Sequence, residues 1–144
     1  MNASKAKGTA AETAVARFAR ANGFAGAERR ALAGSLDRGD VLLTVGVICE
    51  VKAGRAAQTA SLGQVGRWLG ETTREMANAQ ATVGILVVQR QGLGLRRVGE
   101  WEAWMVGDVV VEVLGADDFM GITTMVGLAD ALLLLRRNGH GDEP

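Results

Sequence analysis

The chain has 144 residues, 48% of them hydrophobic and 22% charged, with a formal net charge of zero. That is the size and make-up of one ordinary domain able to bury a core. The absence of tyrosine excludes tyrosine-nucleophile strand breakage. A single histidine, His140, excludes Ser-His-Asp and Cys-His catalysis and multi-histidine metal sites, and a single cysteine, Cys49, excludes an intrachain disulfide or a zinc finger.

Residues 1–8 read as a polar, basic arm with Lys5 and Lys7. Ala11, Ala14, Val15, Phe18 and Ala19 recur at helical steps, which predicts a helix from Thr9 to Asn22. Thr9 is placed as its N-cap, Glu12 completes a capping box, and Gly23 ends it. Residues 26–33 read as a strand and Gly34 to Gly39 as a polar turn. Two stronger strands follow, Val41 to Thr44 and Val47 to Lys52, joined as a hairpin at Val45-Gly46. Residues 59–79 form a long predicted helix with Leu62, Val65, Leu69 and Met76 inward. Val83 to Gln89 is a wholly apolar strand, Gly92, Gly94 and Gly99 bracket a loop, and Trp101 to Val106 is the next strand. Asp108 to Leu114 fits strand or short helix. Gly127 to Arg137 is helical, stopped by Asn138-Gly139, and a short tail follows. Leu132 to Leu135 is apolar all round, which places it deep in the core or at an oligomer contact.

The resulting order, α-β-β-β-α-β-β-α, is a mixed α/β domain with a hairpin feeding a crossover helix. No repeat or low-complexity linker divides it. No apolar run reaches the roughly 18 residues of a membrane span, and a lone thiol suits a reducing compartment, so a cytoplasmic protein with no membrane partner is expected. The charge is unevenly spread. Residues 1–38 carry a net +4 and the remainder −4, a hint of an anionic partner.

The chemistry concentrates in Gly39-Asp40-Val41 and Cys49-Glu50-Val51-Lys52. Side chains alternate along a strand, so Glu50 and Lys52 share one face and Cys49 and Val51 the other. On its own a Glu-x-Lys pair is a common surface ion pair of little energetic worth. Three features raise it. The chain has thirteen arginines and only three lysines, and Lys52 is the only lysine outside the arm. It ends an apolar strand, and an aspartate opens the partner strand. A compact ammonium can touch both a water and a phosphate oxygen where a guanidinium fork is bulkier.

The hairpin register decides whether Asp40 joins them. With a two-residue turn at Val45-Gly46, paired residue numbers sum to 91 and Asp40 faces away from Glu50. With a three-residue loop and Gly46 at positive φ they sum to 90, and Asp40 lies opposite Glu50. The even-sum register is expected, because it brings two carboxylates and an ammonium together. Carboxylates of this kind hold Mg²⁺, which activates water and steadies charge on phosphorus, while Lys52 orients the water or neutralises the transition state. Glu12 reads first as a capping-box acid, with a further acid on the sheet-facing margin of its helix as the second reading.

Taken together, Gly8-Thr9-Ala10-Ala11-Glu12, the Arg29-Arg30 strand, Gly39-Asp40-Val41, Cys49 to Gly54, the Gln64-x-x-Arg67-Trp68-Leu69 helix and the Gly84 to Val88 strand resemble the PD-(D/E)XK nucleases. Within that superfamily the chain is most similar to the archaeal-type Holliday junction resolvases and their phage-encoded relatives. Gly39 stands where the superfamily's name has proline. The resemblance covers about residues 8–106. It implies a restriction-endonuclease-like mixed central sheet flanked by helices, in a single nuclease domain with a core at 9–106, an extension with a helix at 107–139 and a tail at 140–144. It also implies a Mg²⁺-dependent endonuclease, with Mn²⁺ able to substitute, that resolves four-way DNA junctions as a homodimer and leaves 5′-phosphates. Asp40 and Glu50 would be metal ligands, Lys52 the catalytic lysine and Glu12 a further metal-linked acid. Arg29 or Arg30 would contact the scissile phosphate or its neighbour, and Ser35 would contact the DNA backbone or help catalysis. Lys5, Lys7, Arg38, Arg55 and Gln64 complete the expected DNA-facing set. The alternatives are a related nuclease acting on flaps, other branched DNA or linear duplex, and a catalytically inactive DNA-binding accessory subunit.

Overall fold

The pattern Val41-x-Leu43 and Val47-x-Cys49-x-Val51 sends odd-numbered side chains to one face of a sheet, and all five are buried. The computed structural model describes residues 3–30, 38–105 and 123–143. Its elements are α1 (Ala3–Ala21), β1 (Glu28–Arg29), β2 (Val41–Thr44), β3 (Val47–Lys52), α2 (Arg55–Gln58), α3 (Leu62–Ala79), β4 (Val83–Val88), a 3-10 helix (Leu95–Glu100), β5 (Glu102–Met105), β6 (Thr124–Gly127) and α4 (Leu128–Arg137). Among the described residues six strands form one mixed sheet, ordered as in the chain. β1, β2 and β3 make an antiparallel meander, β3 and β4 are parallel, and β4, β5 and β6 are antiparallel. Parallel neighbours need a crossover, which α2 and α3 supply.

The sheet separates two apolar clusters. Odd-numbered residues of β2, β3, β4 and β5 pack with Ala11, Val15 and Ala19 of α1 and with Leu128, Ala131, Leu132 and Leu135 of α4. On the other face Leu86 and Val88 of β4 pack with Ala57, Val65 and Trp68. Ser61 caps α3 by accepting the Gln64 N–H at 3.1 Å. From there Val65, Trp68, Thr72 and Glu75 form a buried stripe at helical spacing. α3 therefore lies over β3 and β4, and leaves the even-numbered face of β2 half-open, with Leu42 and Thr44 only partly buried.

The hairpin between β2 and β3 combines both candidate registers. Thr44 pairs with Val47 across the tight turn, and Gly46 has φ +82° there. An irregularity between Leu42 and Thr44 then shifts the pairing, so that Leu42 meets Ile48 and Val41 meets Cys49. Such a bulge lets one strand gain a residue on its partner. The even-sum register thus holds at the Asp40 end, through a bulge.

Several boundaries differ from the sequence reading. α1 begins at Ala3, so much of the supposed arm is helical and Glu12 lies mid-helix; neither Thr9 nor Glu12 caps it. Helix-favouring Ala and Lys at 3–7 carry the helix through Gly8. The 26–33 strand is only Glu28–Arg29 within the described residues. The 59–79 helix is α3, which starts at Leu62, and the short α2 before it was not anticipated; Leu62 is 78% exposed rather than inward. The glycine-bracketed loop contains the 3-10 helix. β6 was not anticipated; it makes the order α-β-β-β-α-α-β-β-β-α. Within 132–135 the burial is one-sided, with Leu133 45% exposed. The turn predicted over Gly34 to Gly39 falls largely outside the described residues, and the Asp108 to Leu114 segment wholly so. Beyond α4 the chain returns to the end of α1: Asp142 N–H donates to Gly23 O at 2.7 Å, and its carboxylate accepts Ala25 N–H at 2.8 Å. Among the described residues no helix is long and apolar enough to cross a membrane.

Candidate active site

Asp40 is held from three directions. Its N–H donates to Cys49 O at 2.9 Å, its C=O accepts Arg30 N–H at 2.8 Å, and its Oδ2 accepts Val51 N–H at 2.8 Å. The carboxylate therefore reaches across the hairpin to the backbone beside Glu50. The preceding Gly39 has φ +93°, and a Cβ there would sit 3.3 Å from Cys49 O. The backbone angle favours glycine, and the close approach leaves little room for a side chain.

Glu50 points to the even-numbered face beneath α3 and is 5% exposed. Its Oε1 lies 3.3 Å from Lys52 Nζ. Its Oε2 is sealed from solvent and meets no hydrogen-bond donor among the described residues, while the carboxyls of Asp40 and Glu75 stand beside it. Lys52 Nζ is also 3.2 Å from Glu71 Oε2 and 5.6 Å from the centre of the Trp68 ring. Glu50, Lys52, Glu71 and Glu75 open, with Arg74 and Asn78, on a cavity of about 540 Å³; Asp40 is not in its lining.

The electrostatics follow from this crowding. Burial raises the Asp40 carboxyl to about 8; the Glu50 charge adds to this, the Val51 N–H opposes it, and Glu12 adds a smaller push. Burial likewise raises Glu50 to about 8, with the neighbouring Glu75 carboxyl adding and Lys52 only partly offsetting. For Lys52, burial works against its charge, but Glu50 and Glu71 outweigh it and hold the ammonium above its ordinary range. Burial pushes the Cys49 thiol upward, on the opposite face from the site. It is core, not nucleophile.

The expected residues are distributed unevenly around this centre. Asp40, Glu50 and Lys52 come together. Glu12 is close enough for its charge to be felt at Asp40, but its Oε2 pairs with Arg29 Nε at 2.6 Å. Arg29 is thereby tied to α1, with Thr9 Oγ1 a further acceptor at 3.4 Å. The Arg30 side chain donates to Arg38 O at 3.3 Å. Gln64 is turned toward Arg67, whose Nη2 donates to its Oε1 at 2.9 Å, and does not line the cavity. Lys5, Lys7, Arg38 and Arg55 are exposed, and Ser35 lies outside the described residues. Trp101 is fully buried with its Nε1 on Leu93 O, whereas the half-buried Trp104 donates to Glu102.

Glu71 and Glu75 escaped the sequence reading. The signal was present: from Gln64 and Trp68, further steps of three or four residues land on Glu71, Thr72 and Glu75. A glutamate on the apolar stripe of a helix, above a strand carrying Glu-x-Lys, marks a polar patch beneath that helix.

Among the described residues no group of three or more His, Cys, Asp or Glu side chains forms a ready metal cage. Mg²⁺ does not need one, because it keeps several waters and binds through one or two carboxylates. Asp40 and Glu50 supply such a pair. The sealed Glu50 Oε2 and the surplus of carboxylates over the single ammonium fit a divalent cation. Compared with protein-family models, curated proteins and solved structures, the chain matches none.

Proposed function

We propose that this chain is a metal-dependent endonuclease that hydrolyses DNA phosphodiester bonds, resolving four-way junctions as a homodimer in the cytoplasm. The observation that carries the reading is the meeting of Asp40, Glu50 and Lys52 at one end of a bulged hairpin. The restriction-endonuclease-like assignment is supported by the α-β-β-β meander followed by a helical crossover to a parallel strand. The choice of the four-way junction as substrate, the dimer and the cytoplasmic setting rest on the resemblance to junction resolvases.

Asp40 and Glu50 would hold Mg²⁺ or Mn²⁺, with Glu12 at the margin. When bound, the ion supplies an acidified water and takes up charge on the phosphoryl oxygens. Lys52 acts as a charge and not as a base, because Glu50 and Glu71 keep it protonated. Its ammonium neutralises the oxygens that gain charge as water attacks phosphorus in line. The Val51 N–H fixes the direction of Asp40, so the carboxylate pair is set before substrate arrives.

The test is cleavage of a labelled four-way junction beside a linear duplex of the same sequence, with Mg²⁺, Mn²⁺ or chelator. Paired symmetric nicks on the junction, absent with chelator, are expected, and Lys52→Ala should reduce the rate by about 10²–10³-fold. Cleavage of both substrates would replace junction specificity with a general nuclease. Binding without cleavage in either metal would overturn catalysis and leave an accessory DNA-binding protein.

A further inference from the structure

On the α1 side of the sheet, just past the end of β3, lies a second cleft of about 390 Å³. Lys7 reaches it from α1 and Arg55 from the start of α2, and Gln58 and Gln89 complete its polar lining. None of the described residues lining it is a carboxylate. Both cations are exposed, and among the described residues neither side chain makes an ion pair or hydrogen bond. The floor is fixed: Gly54 N–H donates to Gln89 Oε1 at 2.8 Å, and Gln89 Nε2 donates to Leu93 O at 3.0 Å. The cleft lies on the opposite face of the sheet from the Glu50–Lys52 cavity and is reached from it around the end of β3. Ala11, in its wall, precedes Glu12, and Ala53 follows Lys52.

We infer that this cleft seats one phosphate of the DNA backbone, a neighbour of the scissile one, held jointly by Lys7 and Arg55. The inference rests on the nuclease reading and adds a subsite to it. The physical need is clear from the charges. The catalytic cavity sets Glu50, Glu71 and Glu75 against Lys52 and Arg74, so its two cations are already matched by carboxylates and offer a polyanion no net attraction. Two unpaired cations in a carboxylate-free cleft around the end of β3 supply the missing attraction. Their convergence from two elements onto one concavity points to a single shared phosphate.

The experiment is DNA binding by fluorescence anisotropy in chelator, across a salt series, for the parent chain, Lys7→Gln, Arg55→Gln and the double variant. Each phosphate contact contributes about 0.9 to the slope of log K against log salt. A shared seat predicts that the double variant loses about one unit of slope and not two, with the second substitution costing much less than the first. Methylphosphonate substitution along one strand should weaken the parent about 5–10-fold at one position near the cut, and have no effect there in the double variant. A loss of about two units, with additive effects, would overturn the shared seat. DNA binding with an unchanged slope in the variants would overturn the subsite and leave the nuclease reading standing. A parent chain that binds no DNA would overturn both. Both side chains are exposed, so the variants should keep the parent's urea midpoint, which confirms that any loss is one of binding.

Discussion

Raising the pH from 5 to 7 in chelator should make this chain easier to unfold, the reverse of ordinary acid denaturation. Asp40 and Glu50 are each raised to about 8 from ordinary values of 3.8 and 4.5. Between those limits the folded chain holds protons that the unfolded chain releases. Stability is therefore fully present below about pH 4 and is lost as pH rises toward 8. Each proton so held changes stability by up to about 1.4 kcal/mol per pH unit, or about 3 kcal/mol from pH 5 to 7. With an m-value of about 1–3 kcal/mol/M, one such proton lowers the urea midpoint by at least about 1 M. Circular dichroism during urea titration at pH 5, 6, 7 and 8 measures it. Millimolar Mg²⁺ should flatten or reverse the trend, because it binds the ionised carboxylates. Asp40→Asn with Glu50→Gln should abolish both the pH slope and the Mg²⁺ response. A midpoint in chelator that rises from pH 5 to 7 would refute the account of a crowded, cation-hungry carboxylate pair.

Three further outcomes follow from particular contacts. Glu75→Gln removes the like carboxyl beside Glu50, so in chelator it should stabilise the chain at pH 7–8 by about 1–2 kcal/mol and have little effect at pH 5; equal effects at both would show that Glu75 acts by packing alone. Gly39→Ala forces a Cβ into a positive-φ position against Cys49 O and should cost about 1–3 kcal/mol in urea denaturation, with cleavage falling more than stability because Asp40 is displaced. Trp101→Ala empties a fully buried site and frees Leu93 O, and should cost about 3–5 kcal/mol by the same assay.

What could be read from the chain ahead of its fold depended on how local the signal was. β2, β3 and β4 are short runs of apolar and β-branched residues bounded by Gly39, Gly54 and Thr82, and their ends fell within a residue of the reading. The meeting of Asp40 with Glu50 was legible because a hairpin is a local object: period two and one glycine fix which side chains meet. β6 was not legible. Thr124 to Gly127 is four residues long, runs straight into α4, and is a strand only because β5 offers it an edge. The start of α1 was misplaced because Thr9 and Glu12 have the right spacing for a cap, while the alanines and lysines before them are equally content in a helix. Glu75 was overlooked for a related reason. Its burial depends on α3 lying over β3, a contact between segments 25 residues apart that no local pattern announces.

The bulge between Leu42 and Thr44 divides the kinds of variation this hairpin can survive. Val45, at the tip, is 92% exposed, and exchanging its side chain touches nothing. The bulged residue is the spare one: removing a residue between 43 and 45 would leave a regular hairpin in which Leu42 still meets Ile48, so Asp40 would stay opposite Glu50. The segment is thus permissive to substitution at its tip and to the loss of that one residue, while the pairing of Val41 and Leu42 with Cys49 and Ile48 is what places Asp40. A descendant lineage could shed the bulge without moving the two carboxylates apart.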